Sequence, residues 1–180
     1  MPTTVALLRG INLGSRRRVA MADLRGWLDE LGCARVRTFL QSGNVVFDSD
    51  EPLSSLGPLI EARLADGAGF PIACVLRTAG ELRAVVESDP FGDVATDGTR
   101  YLVSFRAAPA PPPAFDRADF EPERFHFGER ESFFWLPDGM RNSRLLAAVA
   151  KADDGAATMR NWNTVTRLLA LAETAPNGRG

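Results

Sequence analysis

Within the first 78 residues two hydrophobic periodicities alternate in a fixed order, and that order admits few folds. Thr4-Val-Ala-Leu-Leu8 is an apolar run carried by Arg9 into Gly10, the pattern of a buried strand. Met21, Leu24, Trp27, Leu28 and Leu31 then recur at helical spacing, and Gly32 stops them. Val36 to Leu40 and Val45 to Phe47 are β-rich runs flanking Gln41-Ser42-Gly43-Asn44, a hairpin signal. Leu56, Leu59, Ile60 and Leu64 mark a second helix, and Ile72 to Leu76 the next strand. The sum is β-α-β-β-α-β, the ferredoxin-like plan, with two helices on one face of an antiparallel sheet. The other face then needs a cover.

From residue 79 onward a similar series begins. Ala79 to Glu87 reads as a helix and Tyr101 to Phe105 as a strand. Pro109 and Pro111 to Pro113 form a stiff extended connection, because proline fixes φ, and a short helix is expected near Phe115 to Phe120. Phe125 to Phe127 and Ser132 to Leu136 read as hairpin strands; Arg144 to Lys151 and Trp162 to Leu171 read as helices. The expectation is an α+β fold of two ferredoxin-like, βαββαβ-type halves produced by pseudo-duplication and packed as one unit. Residues 1–78 form the first half and 79–180 the second, with the Pro-rich connection at 109–113.

Composition narrows the function classes. A chain of 180 residues can bury about 70% of its unfolded surface without a staple. The net charge of -2 argues against a surface coated in basic residues for DNA, while leaving room for a local basic patch. Lys151 is the only lysine beside 20 arginines (21 Lys+Arg in all), so any single arginine is weak evidence of selected chemistry. Cys33 and Cys74 read as reduced core residues, and two Cys with one His are too few for a structural zinc site. No apolar run reaches the ~20 residues that cross a bilayer, and no targeting segment is visible. A cytoplasmic protein with no membrane partner and no metal is expected.

Three stretches carry a family resemblance: Ala6-Leu-Leu-Arg-Gly-Ile-Asn-Leu-Gly14, Gln41-Ser-Gly-Asn-Val-Val-Phe47 and Arg160-Asn-Trp-Asn-Thr-Val165. With Met21-Ala-Asp-Leu24 between them, they resemble the bacterial domain-of-unknown-function family numbered 1697, from about residue 3 to residue 172. The resemblance implies two α+β halves of ferredoxin-like character. It brings no activity and no catalytic residue.

Three polar segments could carry chemistry. In the strand-to-helix loop after Arg9, the candidate ligand-binding residues are Arg9, Gly10, Asn12, Gly14 and Arg16. Arg9 and Arg16 to Arg18 place four guanidinium groups in ten residues without an acid, and glycines let N–H groups turn toward an anion. The phosphate-loop pattern GxxxxGK[ST] and the dinucleotide pattern GxGxxG are both absent, so no cofactor is expected. The alternative is a solvated loop. The hairpin adds Gln41, Ser42 and Asn44, and the sequence leaves open which end of the sheet its tip shares. Arg160, Asn161 and Asn163 are read as beginning the last helix, either as caps or as ligand contacts. His126, the only histidine, alternates with Phe125 and Phe127 and reads as a surface strand residue.

These features favour a binding protein for a phosphate-bearing small ligand, nucleotide-like, using the Arg9–Gly14 loop and the start of the last helix. A short nucleic acid is the weaker partner, since the third strand, Val45-Val46-Phe47-Asp48, lacks the usual stacking aromatics. The alternatives are an enzyme of unidentified reaction on an anionic substrate, for which no nucleophile or base stands out, and a scaffold whose motifs are all turns and caps.

Overall fold

In the computed structural model, which describes residues 1–174, strands and helices follow the expected order through the first half. β1 (Thr3–Leu8), α1 (Met21–Glu30), β2 (Ala34–Phe39), β3 (Asn44–Asp48), α2 (Leu53–Ala68) and β4 (Cys74–Thr78) form a four-stranded antiparallel sheet of order β2-β3-β1-β4. Leu24 and Leu28 of α1 pack with Leu56, Ile60 and Leu64 of α2 onto Ala6, Leu8, Val45, Phe47 and Leu76 of the sheet. The opposite face carries Val5, Leu7, Val46 and Val75, which are buried as well. Burial on both faces explains why β1 and β3 read as continuous apolar runs instead of alternating.

α3 (Ala79–Glu87) follows β4 without a loop. Its start is a capping box: the Glu81 N–H donates to Thr78 Oγ1 at 3.1 Å, and the Thr78 N–H donates to Glu81 Oε2 at 2.8 Å.

The second series is β5 (Tyr101–Arg106), β6 (Arg124–Phe127), β7 (Glu131–Trp135), α4 (Arg144–Ala152), β8 (Ala157–Asn161) and α5 (Trp162–Glu173). Its antiparallel sheet has the order β6-β7-β5-β8, the first sheet's order with each number raised by four. The register repeats too. Val5 pairs with Val46 and Arg77 in the first sheet, and Val103 pairs with Phe133 and Arg160 in the second. Two ferredoxin-like halves, a pseudo-duplication, are therefore present.

The halves differ where α1 stands. Between β5 and β6 the Pro-rich segment runs extended, and the helix expected near Phe115 to Phe120 shrinks to one 3₁₀ turn at Arg117–Asp119. Phe115, Phe120, Phe125 and Phe127 cluster there with ring centroids 5.1–6.1 Å apart, covering β6 where a helix would. The sequence reading also missed β8. Ala157, Thr158, Met159 and Arg160 do alternate apolar and polar, but the run is short and passes straight into the residues read as the last helix, so pairing with β5 is what sets it as a strand.

By contacts the described residues divide into Met1–Ala84 together with 167–174, and Val85–Thr166. Ala79 to Ala84 and the later turns of α5 thus group with the first unit, where a cut at residue 78 would part them from it. Arg37 of β2 donates to the Leu171 carbonyl of α5 at 2.8 Å.

Candidate functional site

Antiparallel pairing of β1 with β3 and β4 sets Leu7 against Asn44 and Leu8 against Cys74, so the ends of three strands meet. The loop after β1 and the hairpin tip therefore share one end of the first sheet. The Leu8 N–H donates to the Gly43 carbonyl at 2.8 Å and the Arg9 N–H to the Ala73 carbonyl at 2.9 Å. Gly43, at φ 89°, lies so close that a Cβ there would stand 2.8 Å from both Ile11 Cδ1 and Leu8 Cβ. Only glycine permits this approach.

Asn12 ties the loop down. Its Nδ2 donates to the Val19 carbonyl at 2.9 Å and to the Gln41 carbonyl at 2.8 Å, and its Oδ1 accepts from the Val19 N–H at 2.8 Å. Arg17 does the same from the other side. Its Nε donates to the Gly10 carbonyl at 2.7 Å, one terminal nitrogen donates to the Pro71 carbonyl at 2.8 Å, and the guanidinium lies 4.6 Å above the Phe70 ring. Arg18 donates to the Gly14 carbonyl at 3.0 Å. Gly10, Asn12, Gly14 and Arg17 all adopt positive φ, a chain of left-handed bends that these bonds hold.

The arginine run is thus divided by role. Arg17 and Arg18 brace the loop, while Arg16 is exposed and bonds no described residue. The backbone N–H groups of Leu13, Gly14 and Ser15 likewise donate to no described residue. Beside them Gln41 and Ser42 are exposed, whereas Asn44 is fully buried and donates to the Phe39 carbonyl at 2.8 Å and to Ser42 Oγ at 3.0 Å. Asn44 therefore holds the turn and does not face solvent. Residues 9–22, 40–47 and 69–77 contain no acid, while Glu61 of α2 reaches this end and accepts from the Cys74 N–H at 2.9 Å. Nothing in the sequence separates Arg17 from its two neighbours, and its bracing role is visible only in the fold.

Arg160, Asn161 and Asn163 lie in the second unit. Arg160 and Asn161 close β8 and do not begin the helix as expected; α5 starts at Trp162. Asn161 Oδ1 accepts from the Thr164 N–H at 2.9 Å, which is a cap. Asn163 is exposed, and its side chain lies against Gly98, where an added Cβ would meet its Oδ1 at 2.0 Å. Arg160 donates to Thr158 Oγ1 at 3.0 Å and to the Met159 carbonyl at 2.9 Å, and burial pulls its pKa down to about 10. Trp162 stacks on Tyr101 at 4.8 Å. His126 is exposed on β6, as its alternation with two phenylalanines predicts. Among the described residues no group of three or more His, Cys, Asp or Glu could hold a metal ion.

Fold and loop together define an α+β protein of two ferredoxin-like units, the first of which presents a polar loop rich in arginine at one end of its sheet. The chain belongs to the family described as protein of unknown function (DUF1697), whose model matches residues 1–133. The third resembling stretch, Arg160 to Val165, lies beyond that match. Its fold is similar to that of conserved bacterial protein SP0830 from Streptococcus pneumoniae, with a TM-score of 0.73 at 23% identity, covering 96% of this chain and 99% of that one. No curated protein matches the chain.

Proposed function

We propose that the protein binds a phosphate-bearing small ligand of nucleotide type at the Gly10–Arg18 end of the first sheet. One observation carries this reading: Arg16 and the N–H groups of Leu13, Gly14 and Ser15 are uncommitted donors on a loop rigidly braced by Asn12 and Arg17. Oriented N–H groups beside a guanidinium form an anion site of the kind that holds phosphates, and prior bracing lowers the ordering cost of binding. Gln41 and Ser42 stand beside the loop to hydrogen-bond a sugar or base.

The start of α5 contributes less to this reading than the first loop does, because Asn161 is engaged as a cap and Arg160 bonds Thr158 and the Met159 carbonyl. A short nucleic acid is the second candidate ligand. We place the protein in the cytoplasm, consistent with its two free, buried cysteines; burial pushes the Cys74 thiol up to about 12. No described helix is long and apolar enough to cross a membrane.

The test is calorimetric titration with ADP and with a short oligonucleotide at low salt. Affinity is expected to fall with rising salt as phosphate contacts imply, and Arg16→Ala is expected to weaken it about tenfold, the worth of one charge-assisted hydrogen bond. Binding that ignores both salt and Arg16, or no binding to either ligand, contradicts the reading.

A further inference from the structure

The two units treat one spot on their sheets in opposite ways. The shared register makes Ala6, Leu8 and Val45 of the first unit the counterparts of Ser104, Arg106 and Ser132 of the second. In the first unit all three are 0% exposed and belong to the core beneath the helices. In the second unit the counterpart of α1 is missing, and a cavity of about 240 Å³ opens over that spot. Its floor is Ser104, Ser132, Phe134 and Met159, with Val149 of α4 on one side and the Pro-rich segment on the other.

Ser104 and Ser132 are direct cross-strand partners, so their hydroxyls lie side by side on an apolar floor. Ser104 is only 7% exposed, and neither side chain hydrogen-bonds a described residue. Ser132 is half-buried, and both hydroxyls line the cavity, where a guest can hydrogen-bond them. Arg106 at the rim is already met by Asp154 at 2.7 Å and Asp153 at 3.5 Å, so the cavity offers no spare positive charge. Apolar walls with a few convergent polar groups are the general character of small-molecule sites.

We infer that this cavity is a binding site for a small uncharged ligand with an apolar body and one hydroxyl or carbonyl group, which Ser104 and Ser132 hydrogen-bond. All of its lining residues belong to the second unit, and the paired Asp153 and Asp154 make it select against anions.

The full-length protein is titrated with 1-naphthol, naphthalene and 1-naphthoate, with binding read from ¹H–¹⁵N shifts. The expected result is saturable binding of 1-naphthol with shifts centred on Ser104, Ser132 and Val149, and weaker binding of the other two. Ser104→Ala with Ser132→Val installs the residues of the first unit and is expected to weaken 1-naphthol about tenfold, the worth of one or two neutral hydrogen bonds. Val149→Trp fills the space from α4 and is expected to abolish binding. If 1-naphthol fails to bind, if either variant binds it as the parent does, or if the hydrocarbon or the anion binds as tightly, the inference is overturned.

Discussion

Arg77 and Arg160 occupy the same position in the two sheets. Arg77 of β4 pairs with Val5 and donates to the carbonyl of the preceding Leu76 at 2.8 Å. Arg160 of β8 pairs with Val103 and donates to the carbonyl of the preceding Met159 at 2.9 Å. Each is followed by one capping residue, Thr78 or Asn161, and then directly by a helix. The duplicated element is therefore a strand, an arginine bonded to the carbonyl before it, a cap and a helix, and it survives although little else of the sequence repeats.

Arg77 is 1% exposed and is the largest fully buried side chain of the described residues. Arg77→Ala is expected to cost about 3 kcal/mol, since it empties a large volume and strands its hydrogen-bond partners. Arg77→Lys should recover only part of that loss, because an ammonium cannot reproduce the guanidinium fork. Urea unfolding of the three proteins measures both effects.

At Gly43 the added methyl of Gly43→Ala meets Ile11 and Leu8 and must also adopt a left-handed φ. A loss of about 1–3 kcal/mol is expected. Ala at the solvent-facing Gly14, where a Cβ meets nothing within 4 Å, should cost less. Thermal denaturation of the two variants ranks them.

Asn12 makes three hydrogen bonds that join the loop to Val19 and to the hairpin. Asn12→Ala is expected to destabilise by about 1–3 kcal/mol and to weaken nucleotide binding by loosening the loop, since the Asn12 side-chain groups are spent on Val19 and Gln41. Chemical denaturation and calorimetry on the same sample separate the two outcomes.

The hydrophobic periods disclose the first half almost completely, because Leu24, Leu28, Leu56, Ile60 and Leu64 are placed by local spacing that the core then uses directly. β8 is hidden because its alternation spans only Ala157 to Arg160 and runs directly into α5, so pairing with β5, a long-range fact, is needed to set it. The lost helix before β6 is half legible. Pro111 to Pro113 exclude a helix, but only the fold reveals that a cavity stands in its place. In the candidate loop, residue types point to anion chemistry, yet Arg16, Arg17 and Arg18 are alike in sequence. Their division into one uncommitted donor and two braces follows from where Gly10, Gly14 and Pro71 lie.

Asp48 is 5% exposed and accepts from Arg35 Nε and from Thr3 Oγ1, the latter at 2.8 Å. Burial acts to raise its pKa, and these donors outweigh burial to hold it below the usual value. A depressed carboxylate stabilises the fold fully above its unfolded value, near 4, and loses that contribution as pH falls through the lower folded value. Asp48→Asn is therefore expected to cost about 1–3 kcal/mol at pH 7 and progressively less below about pH 4. Urea midpoints measured from pH 7 down to pH 3 provide the check.

The central claim is that negative charge is held at the end of the first sheet by donors the protein leaves unused. A ¹H–¹⁵N titration with ADP tests it most directly. The largest shifts are expected at Leu13, Gly14, Ser15 and the Arg16 side chain, with smaller ones at Gln41 and Ser42. Shifts confined to residues away from these loops, or none at saturating ADP, would contradict it.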